Sequence, residues 1–436
     1  MLRTLDLRGR DYSRSELLSL VPRSESSSEL AIDQARVLVN DVQARGVAAL
    51  REQAHQFDGV SDYDVRVPAD HLSEALESLD DSVRDALVVA IERVRAGSAA
   101  QVPPATVTTV APGATITQRW QPVERVGLYV PGGKAVYPSS VVMNVVAAQA
   151  AGVHSIALAS PPQASYAGRI HPVILAAAAL LDIDEVYAMG GSGAIAAFAY
   201  GVKEIGLEPV NVVTGPGNVF VAAAKRLVRG VVGIDSEAGP TEILVIADET
   251  ASAKFVAADL ISQAEHDEMA SAVLVTTSES FASEVAAEVD AQAVTTKHAA
   301  RVEVALSGQQ SAIVLVDSLG TACAFSNAYA PEHLELHTAD NEAVLKGITN
   351  AGAVFMGSFT PVSLGDYSAG SNHVLPTAGQ AASSSALGAF TFLRPQQVVT
   401  YSRDALADLR AGVVQLARSE DLPAHGDAID IRFEES

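Results

Sequence analysis

Three short stretches of the chain set out side chains that could move protons or bind a metal. Glu332 and His333 are adjacent in YAPEHLEL, directly after Pro331. A carboxylate beside an imidazole supplies two proton acceptors of different intrinsic pKa, which suits a reaction that needs two bases. The same residues also fit a plain turn before the strand LELHT, with both side chains solvated. Gln263 and His266, in DLISQAEHD, are three apart near the end of a predicted helix and so share a face. Imidazole is the commonest transition-metal ligand and a Gln amide oxygen can accompany it. Two ligands do not complete a site, and a helix-end His beside a surface Gln has the same spacing. Gly365-Asp366-Tyr367 and Ser371-Asn372-His373 follow the strand AGAVFMG in a Gly/Ser-rich stretch, read as a loop that either carries a site or simply covers the surface. His425, in LPAHGDAI, has the position of a tail histidine. Cys323, in TACAFSNAYA, has no base or cation close in sequence and reads as a buried, inert thiol.

Two glycine-rich turns could hold phosphate. Gly191-Ser-Gly193-Ala-Ile-Ala196 matches G-x-G-x-x-A after a strand and before a helix. The acidic residue that should end the next strand and hold a ribose is missing, because PVNVV runs into Thr214. Glycine serving only tight strand–helix packing would look the same. Gly215-Pro216-Gly217-Asn218, at the next strand end, is equally suited to cradle phosphate with backbone N–H groups. Two such turns on neighbouring strands point to a phosphate-bearing ligand.

The elements that must position these residues follow from periodicity. From Glu29 to about Gln101 apolar residues recur at helical spacing, as in LAIDQARVLVNDV. The preceding Ser24–Ser28 run can cap a helix. PPATVTTVAPGATITQRWQPVERV alternates and is broken by Pro and Gly, which predicts a short antiparallel excursion or linker. Then strands ending in turns and followed by helices repeat: VGLYV with PGGK, SIALAS with SPPQ, EVYAM with GGSG, PVNVV with TGPGN. After AGPTE the pattern restarts with EILVIAD, SAVLVTT, SAIVLVD and AGAVFMG. Such repetition is the mark of parallel sheets with crossover helices, whose ligands sit at the carboxyl ends of the strands. The expected fold is α/β: two Rossmann-like parallel-sheet domains with helical N-terminal and C-terminal segments. The expected boundaries are an arm over 1–30, a helical segment over 31–119 packing with the second α/β domain, α/β domains over 120–238 and 239–385, and a helical tail over 386–436.

Composition narrows the function. Hydrophobic residues make up 48% of 436, enough for a large core, and Asp+Glu total 52 against Lys+Arg 29. The net charge of -23 repels nucleic acid and anionic membrane, so neither is an expected partner. One cysteine excludes an internal disulfide and a Cys-rich zinc knuckle. The charged start MLRTLDLRGRDYSR is unlike a signal peptide, and the apolar window from Val141 to Ser160, interrupted by Asn144, Gln149 and His154, reads as a buried helix followed by a strand. The expected setting is cytoplasmic.

Together RVGLYVPGG, TGPGN, GPTEILVIAD, DLISQAEHD, AYAPEHLEL, GDYSAGSNHVLPT and LPAHGDA, in this order over nearly the whole chain, resemble the histidinol dehydrogenase family. That resemblance implies oxidation of L-histidinol to L-histidine through the bound aldehyde, with two NAD molecules used in succession and one zinc ion per site. It implies zinc held by Gln263, His266, Asp366 and His425, with His425 contributed by the other subunit of a homodimer through an exchanged C-terminal tail. It implies a substrate surrounded by Thr241, Gln263, His266, Glu332, His333, Asp366, His373, Glu420 and His425, and NAD against Tyr129, the GGSG turn with Gly193, and Asn218. Thr241 stands where the family often has Ser, which keeps the hydroxyl. Gly193 stands where the family usually has Gln, a residue that contacts NAD. On this reading His333 is the general base for the alcohol and hydrate protons and Glu332 activates the water that hydrates the aldehyde. Rival readings are a related zinc- and NAD-dependent dehydrogenase of another small polar alcohol, a non-catalytic metabolite binder, which would have no need of a paired base, and a zinc hydrolase, which lacks HExxH here.

Overall fold

The computed structural model describes residues 2–23, 29–132, 136–237 and 239–434. Ser24–Ser28, Gly133 and Lys134 of the PGGK turn, and Ala238 lie outside the described residues. In chain order, β1 (Arg3–Asp6) and α1 (Arg14–Leu20) precede the helices α2 (Glu29–Arg45), α3 (Val47–Asp58), α4 (Ala69–Glu77) and α5 (Asp81–Ala100). A hairpin follows, β2 (Thr106–Ala111) and β3 (Ala114–Pro122). The first alternating run is β4 (Arg125–Tyr129), α6 (Pro138–Ala151), β5 (Ser155–Ser160), α7 (Pro172–Leu180), β6 (Val186–Ala188), α8 (Gly191–Tyr200), β7 (Val212–Thr214), α9 (Val219–Val228) and β8 (Gly233–Ile234). The second is β9 (Glu242–Ala247), α10 (Ala253–Ala264), β10 (Ser271–Thr276), α11 (Glu279–Ala293), α12 (Ala299–Ser307), β11 (Ala312–Leu315), α13 (Leu319–Tyr329), β12 (His333–His337), α14 (Asn341–Leu345), β13 (Ala353–Met356) and α15 (Val362–Tyr367). The chain ends with β14 (Leu393–Tyr401), α16 (Arg403–Ser419) and α17 (Pro423–Asp430).

Two units result: one of residues 1–101 and 123–392, the other of 102–122 and 393–436. The first holds two wholly parallel sheets, a five-stranded one ordered β6-β5-β4-β7-β8 and a six-stranded one ordered β1-β11-β10-β9-β12-β13. In each the order reverses beside the first strand of its run, β4 and β9, and a crevice forms at such a reversal. The strands are near-continuous apolar runs because helices cover both faces. Ile243, Val245 and Ala247 of β9 pack toward α10, whereas Leu244 and Ile246 pack toward α13. Helix α6 is buried almost all round, which accounts for its lack of a polar face.

Four expectations are corrected. The N-terminal helical segment packs on the first α/β run, not the second: α2 and α3 against α8, α2 also against α9, α4 against α7 and α5 against α6. The stripe Ala31, Ala35, Val39 and Val42 gives α2 the apolar face for this. The N-terminal arm contains β1, an edge strand paired with β11. Part of the C-terminal segment is a strand, β14, paired antiparallel with β3 to form the three-stranded sheet of the second unit. Its β-branched Val398-Val399-Thr400 run favours a strand. Finally, Asp366 lies in the short helix α15 and His333 opens β12, where the sequence suggested loop and turn.

Candidate active site

Both sheets bring groups to one cavity of about 990 Å³ in the first unit. The five-stranded sheet contributes its carboxyl ends, as expected for a nucleotide fold. The six-stranded sheet contributes its amino ends: Thr241 and Glu332 immediately precede β9 and β12, and His333 opens β12. Helix α10 runs back across its sheet, so Gln263 and His266 at its end return to that same amino edge. The expectation of carboxyl ends therefore holds for one sheet only.

At the first edge, Gly215 lies so close to Tyr129 that an added Cβ would fall 1.9 Å from the Tyr129 carbonyl oxygen, and its φ of +118° suits glycine alone. Buried Lys225 fixes this turn by donating to the Gly215 carbonyl at 2.5 Å and to Asp235 at 2.5 Å, while Asp235 accepts from the Gly215 N–H at 2.9 Å. Sequence reasoning passed over this pair; the one signal was a lysine on the apolar face of VFVAAAKRLV. Asn218 caps α9 by accepting from the N–H groups of Phe220 and Val221. The start of α8 has no side-chain cap, and the Gly191 N–H donates to the Tyr129 hydroxyl at 3.2 Å. Burial pushes that phenol up to about 12, so it stays protonated. The starts of α8 and α9 both line the cavity, and α8, which has no side-chain cap, is the better setting for phosphate. Gly193 itself is buried just inside α8 and is not part of the wall.

At the second edge, Glu332 Oε2 accepts from the Thr241 hydroxyl at 2.5 Å and the Glu242 N–H at 2.8 Å. Burial raises its carboxyl above the usual range, and His333, with the Thr241 and Glu242 hydrogen bonds, opposes the rise. His333 Nδ1 donates to the Glu242 carbonyl at 2.9 Å, which leaves Nε2 as the unprotonated nitrogen of the neutral ring. Below it, Glu242 is pushed up to about 7 by burial although Arg23 lies 3.1 Å away. His373 Nδ1 donates to the Asp366 carbonyl at 2.9 Å, and its Nε2 accepts from Ser140 at 3.1 Å. Burial lowers the His373 pKa, so this ring is neutral at pH 7.

Gln263 Nε2 donates to the Thr241 hydroxyl, leaving the buried Gln263 Oε1 without a hydrogen-bond partner among the described residues. His266 and Asp366 line the cavity, and the unmet Gln263 amide oxygen lies behind the wall residue Thr241, so the three offer an O, N, O donor set suited to a divalent ion. Glu420 and His425 belong to the second unit, the first at the end of α16 and the second on α17, both exposed. Another trio, Asp259, Glu335 and His337, has potential ligand atoms within 4.8 Å of one another. There Asp259 is pushed up to about 8 by burial and by Glu335, and Glu335 accepts from His337 at 3.1 Å and from the Val362 N–H at 2.8 Å. A shared proton and these bonds engage the three with one another, while the buried Nδ1 of His337 has no partner among the described residues. It ties β12 to the start of α15, the helix that carries Asp366.

A family model described as histidinol dehydrogenase matches residues 21–433. A histidinol dehydrogenase of Leifsonia xyli subsp. xyli is 63% identical over 434 residues, covering 100% of both chains. One from Mycolicibacterium smegmatis is 56% identical, covering 99% of this chain and 97% of its own. The crystal structure of histidinol dehydrogenase from Elizabethkingia anophelis superposes with a TM-score of 0.92 at 33% identity, covering 99% of this chain and 98% of that one.

Proposed function

The chain belongs to the histidinol dehydrogenase family, oxidoreductases of the final steps of histidine biosynthesis, and from that premise we propose how its residues carry the reaction. The substrate is L-histidinol, oxidised by four electrons to L-histidine through histidinal. NAD serves as the hydride acceptor in each of the two oxidations. Gln263, His266, Asp366 and His425 of the partner subunit would hold zinc, which would supply a Lewis-acid anchor for the substrate. Thr241, Glu332, His333, His373 and Glu420 surround that substrate, and Tyr129, Asn218 and the turn before Gly193 receive the nucleotide.

The observation that carries this reading is the pinned imidazole of His333. With Nδ1–H given to the Glu242 carbonyl, Nε2 is free to take the hydroxyl proton as hydride leaves the same carbon. Glu332 Oε2 is engaged by Thr241 and the Glu242 N–H, so Oε1 is left to accept a proton from the water that adds to the aldehyde. His333 Nε2 then takes the hydrate proton before the second hydride leaves. Its first proton must have passed to solvent or to a neighbouring base. Neutral His373 orients substrate and carries no charge that would oppose a cation.

The protein acts as a homodimer whose exchanged tails complete each site, in the cytoplasm, where a single buried thiol has no oxidative pairing to make. Among the described residues no helix is long and apolar enough to cross a membrane. Counting NADH tests the reading: two equivalents should form per histidinol consumed, with histidine as product. One equivalent, or turnover of unrelated amino alcohols in preference to histidinol, would favour a dehydrogenase of another small polar alcohol.

A further inference from the structure

The Gly193 position, which a side chain could fill, is filled from another helix. A Cβ added there would lie 2.5 Å from Gln53 Oε1 and 3.2 Å from Leu50 Cδ2, both on α3. Glycine at 193 is therefore what allows α3 to bring its carboxamide against the start of α8. Gln53 is 8% exposed, and it is the one buried polar side chain of its helix. Its Nε2 donates to the Leu38 carbonyl of α2 at 3.2 Å, which fixes the amide with its oxygen toward α8. That oxygen accepts no hydrogen bond from a described residue, although Gln53 lines the cavity beside Gly190, Gly191 and Ser192. The acceptor is therefore open to the cavity and available to a donor from a bound ligand.

Resting on the NAD reading above, we propose that Gln53 is a dinucleotide-binding residue. Its Oε1 accepts a hydrogen bond from a sugar hydroxyl next to the phosphate that the N–H groups of α8 receive. The division of labour follows from the groups available. Backbone N–H donors at the start of α8 can take an anion but not a donor. The strand end that should supply an acidic ribose acceptor supplies Thr214, which is fully buried, donates its hydroxyl to Asn144 at 2.7 Å and does not line the cavity. Gln53 offers the missing acceptor from outside the sheet.

The test is calorimetric titration of NAD into the full-length protein without histidinol, paired with the KM for each substrate. Gln53→Met keeps the shape and removes the acceptor. It should raise the NAD Kd about three- to tenfold, the loss of one hydrogen bond, and raise the NAD KM alike, while the histidinol KM moves less than about twofold. Gly193→Ala, which drives the Gln53 oxygen from its place, should weaken NAD in the same direction. In Gln53→Met/Gly193→Gln, a carboxamide returned from α8 should restore the NAD Kd. An unchanged NAD Kd in Gln53→Met or in Gly193→Ala overturns the inference, as does an equal loss for histidinol. Wild-type protein that neither binds nor reduces NAD would instead overturn the reading on which it rests.

Discussion

Replacing Glu332 by Gln separates the two oxidations. Glu332 is 7% exposed, and its Oε2 holds the Thr241 hydroxyl and the Glu242 N–H. An amide oxygen can keep the backbone bond and the side-chain volume, so the fold loses little; what disappears is a base. A positioned general base contributes roughly 10²–10⁴ in rate, about 3–5 kcal/mol. Glu332→Gln should therefore slow oxidation of added histidinal by about that factor. Oxidation of histidinol to the aldehyde relies on His333 Nε2, and Nδ1 remains tied to the Glu242 carbonyl. Its first turnover should fall by less than about tenfold. The assay is rapid mixing with each substrate, following NADH absorbance. The pH dependence adds a second reading. Because burial raises the Glu332 pKa and the base must be ionised, histidinal oxidation in the wild type should fall with acid through a midpoint above the usual carboxylate range. The Gln variant should lack that limb. Equal losses in both half-reactions, or an unimpaired histidinal step, would refute the assigned roles.

Two further outcomes are expected. Mixed with exchange of subunits, His425→Asn and His266→Asn proteins, each inactive alone, should regain about a quarter of wild-type activity, since half the dimers are hybrid and each has one intact site; no recovery after verified exchange would place His425 in its own chain's site. Asp259, held up to about 8 by burial and by Glu335, keeps a proton in the folded state that the unfolded chain has released. The stability it adds is full below the ordinary Asp pKa and is lost as pH rises toward about 8. The wild-type melting temperature should thus decline between about pH 4 and 8 from this group, and Asp259→Asn, which keeps a donor toward Glu335 without titrating, should decline less. Parallel curves would contradict the shared proton.

What the sequence disclosed follows a physical pattern. The strands VGLYV, SIALAS, EILVIAD and SAVLVTT are apolar runs bounded by turn residues, and each is found within a residue or two of its expected place. The groups around the cavity were legible because Glu332-His333 and the Gln263/His266 spacing carry chemistry in their types. Partners set by tertiary approach were not legible. Lys225 looks like an ordinary helical lysine until Asp235 meets it, and Gln53 like a surface glutamine until Gly193 gives it room. Asp366 was read in a loop because Gly365 and Ser368 disguise a helix of six residues that Glu335 anchors at its first N–H. The strand β14 was hidden by Pro395 and two glutamines, which β3 tolerates at an exposed edge.

The central claim is that one divalent ion belongs beside Glu332 and His333. Anomalous diffraction at the zinc edge from crystals of the zinc-loaded dimer tests it most directly. The account predicts one strong peak per site, within bonding distance of Gln263 Oε1, His266, Asp366 and His425 of the partner subunit. A peak at Asp259, Glu335 and His337 instead, or full turnover by crystals and solution protein without any bound metal, would contradict it.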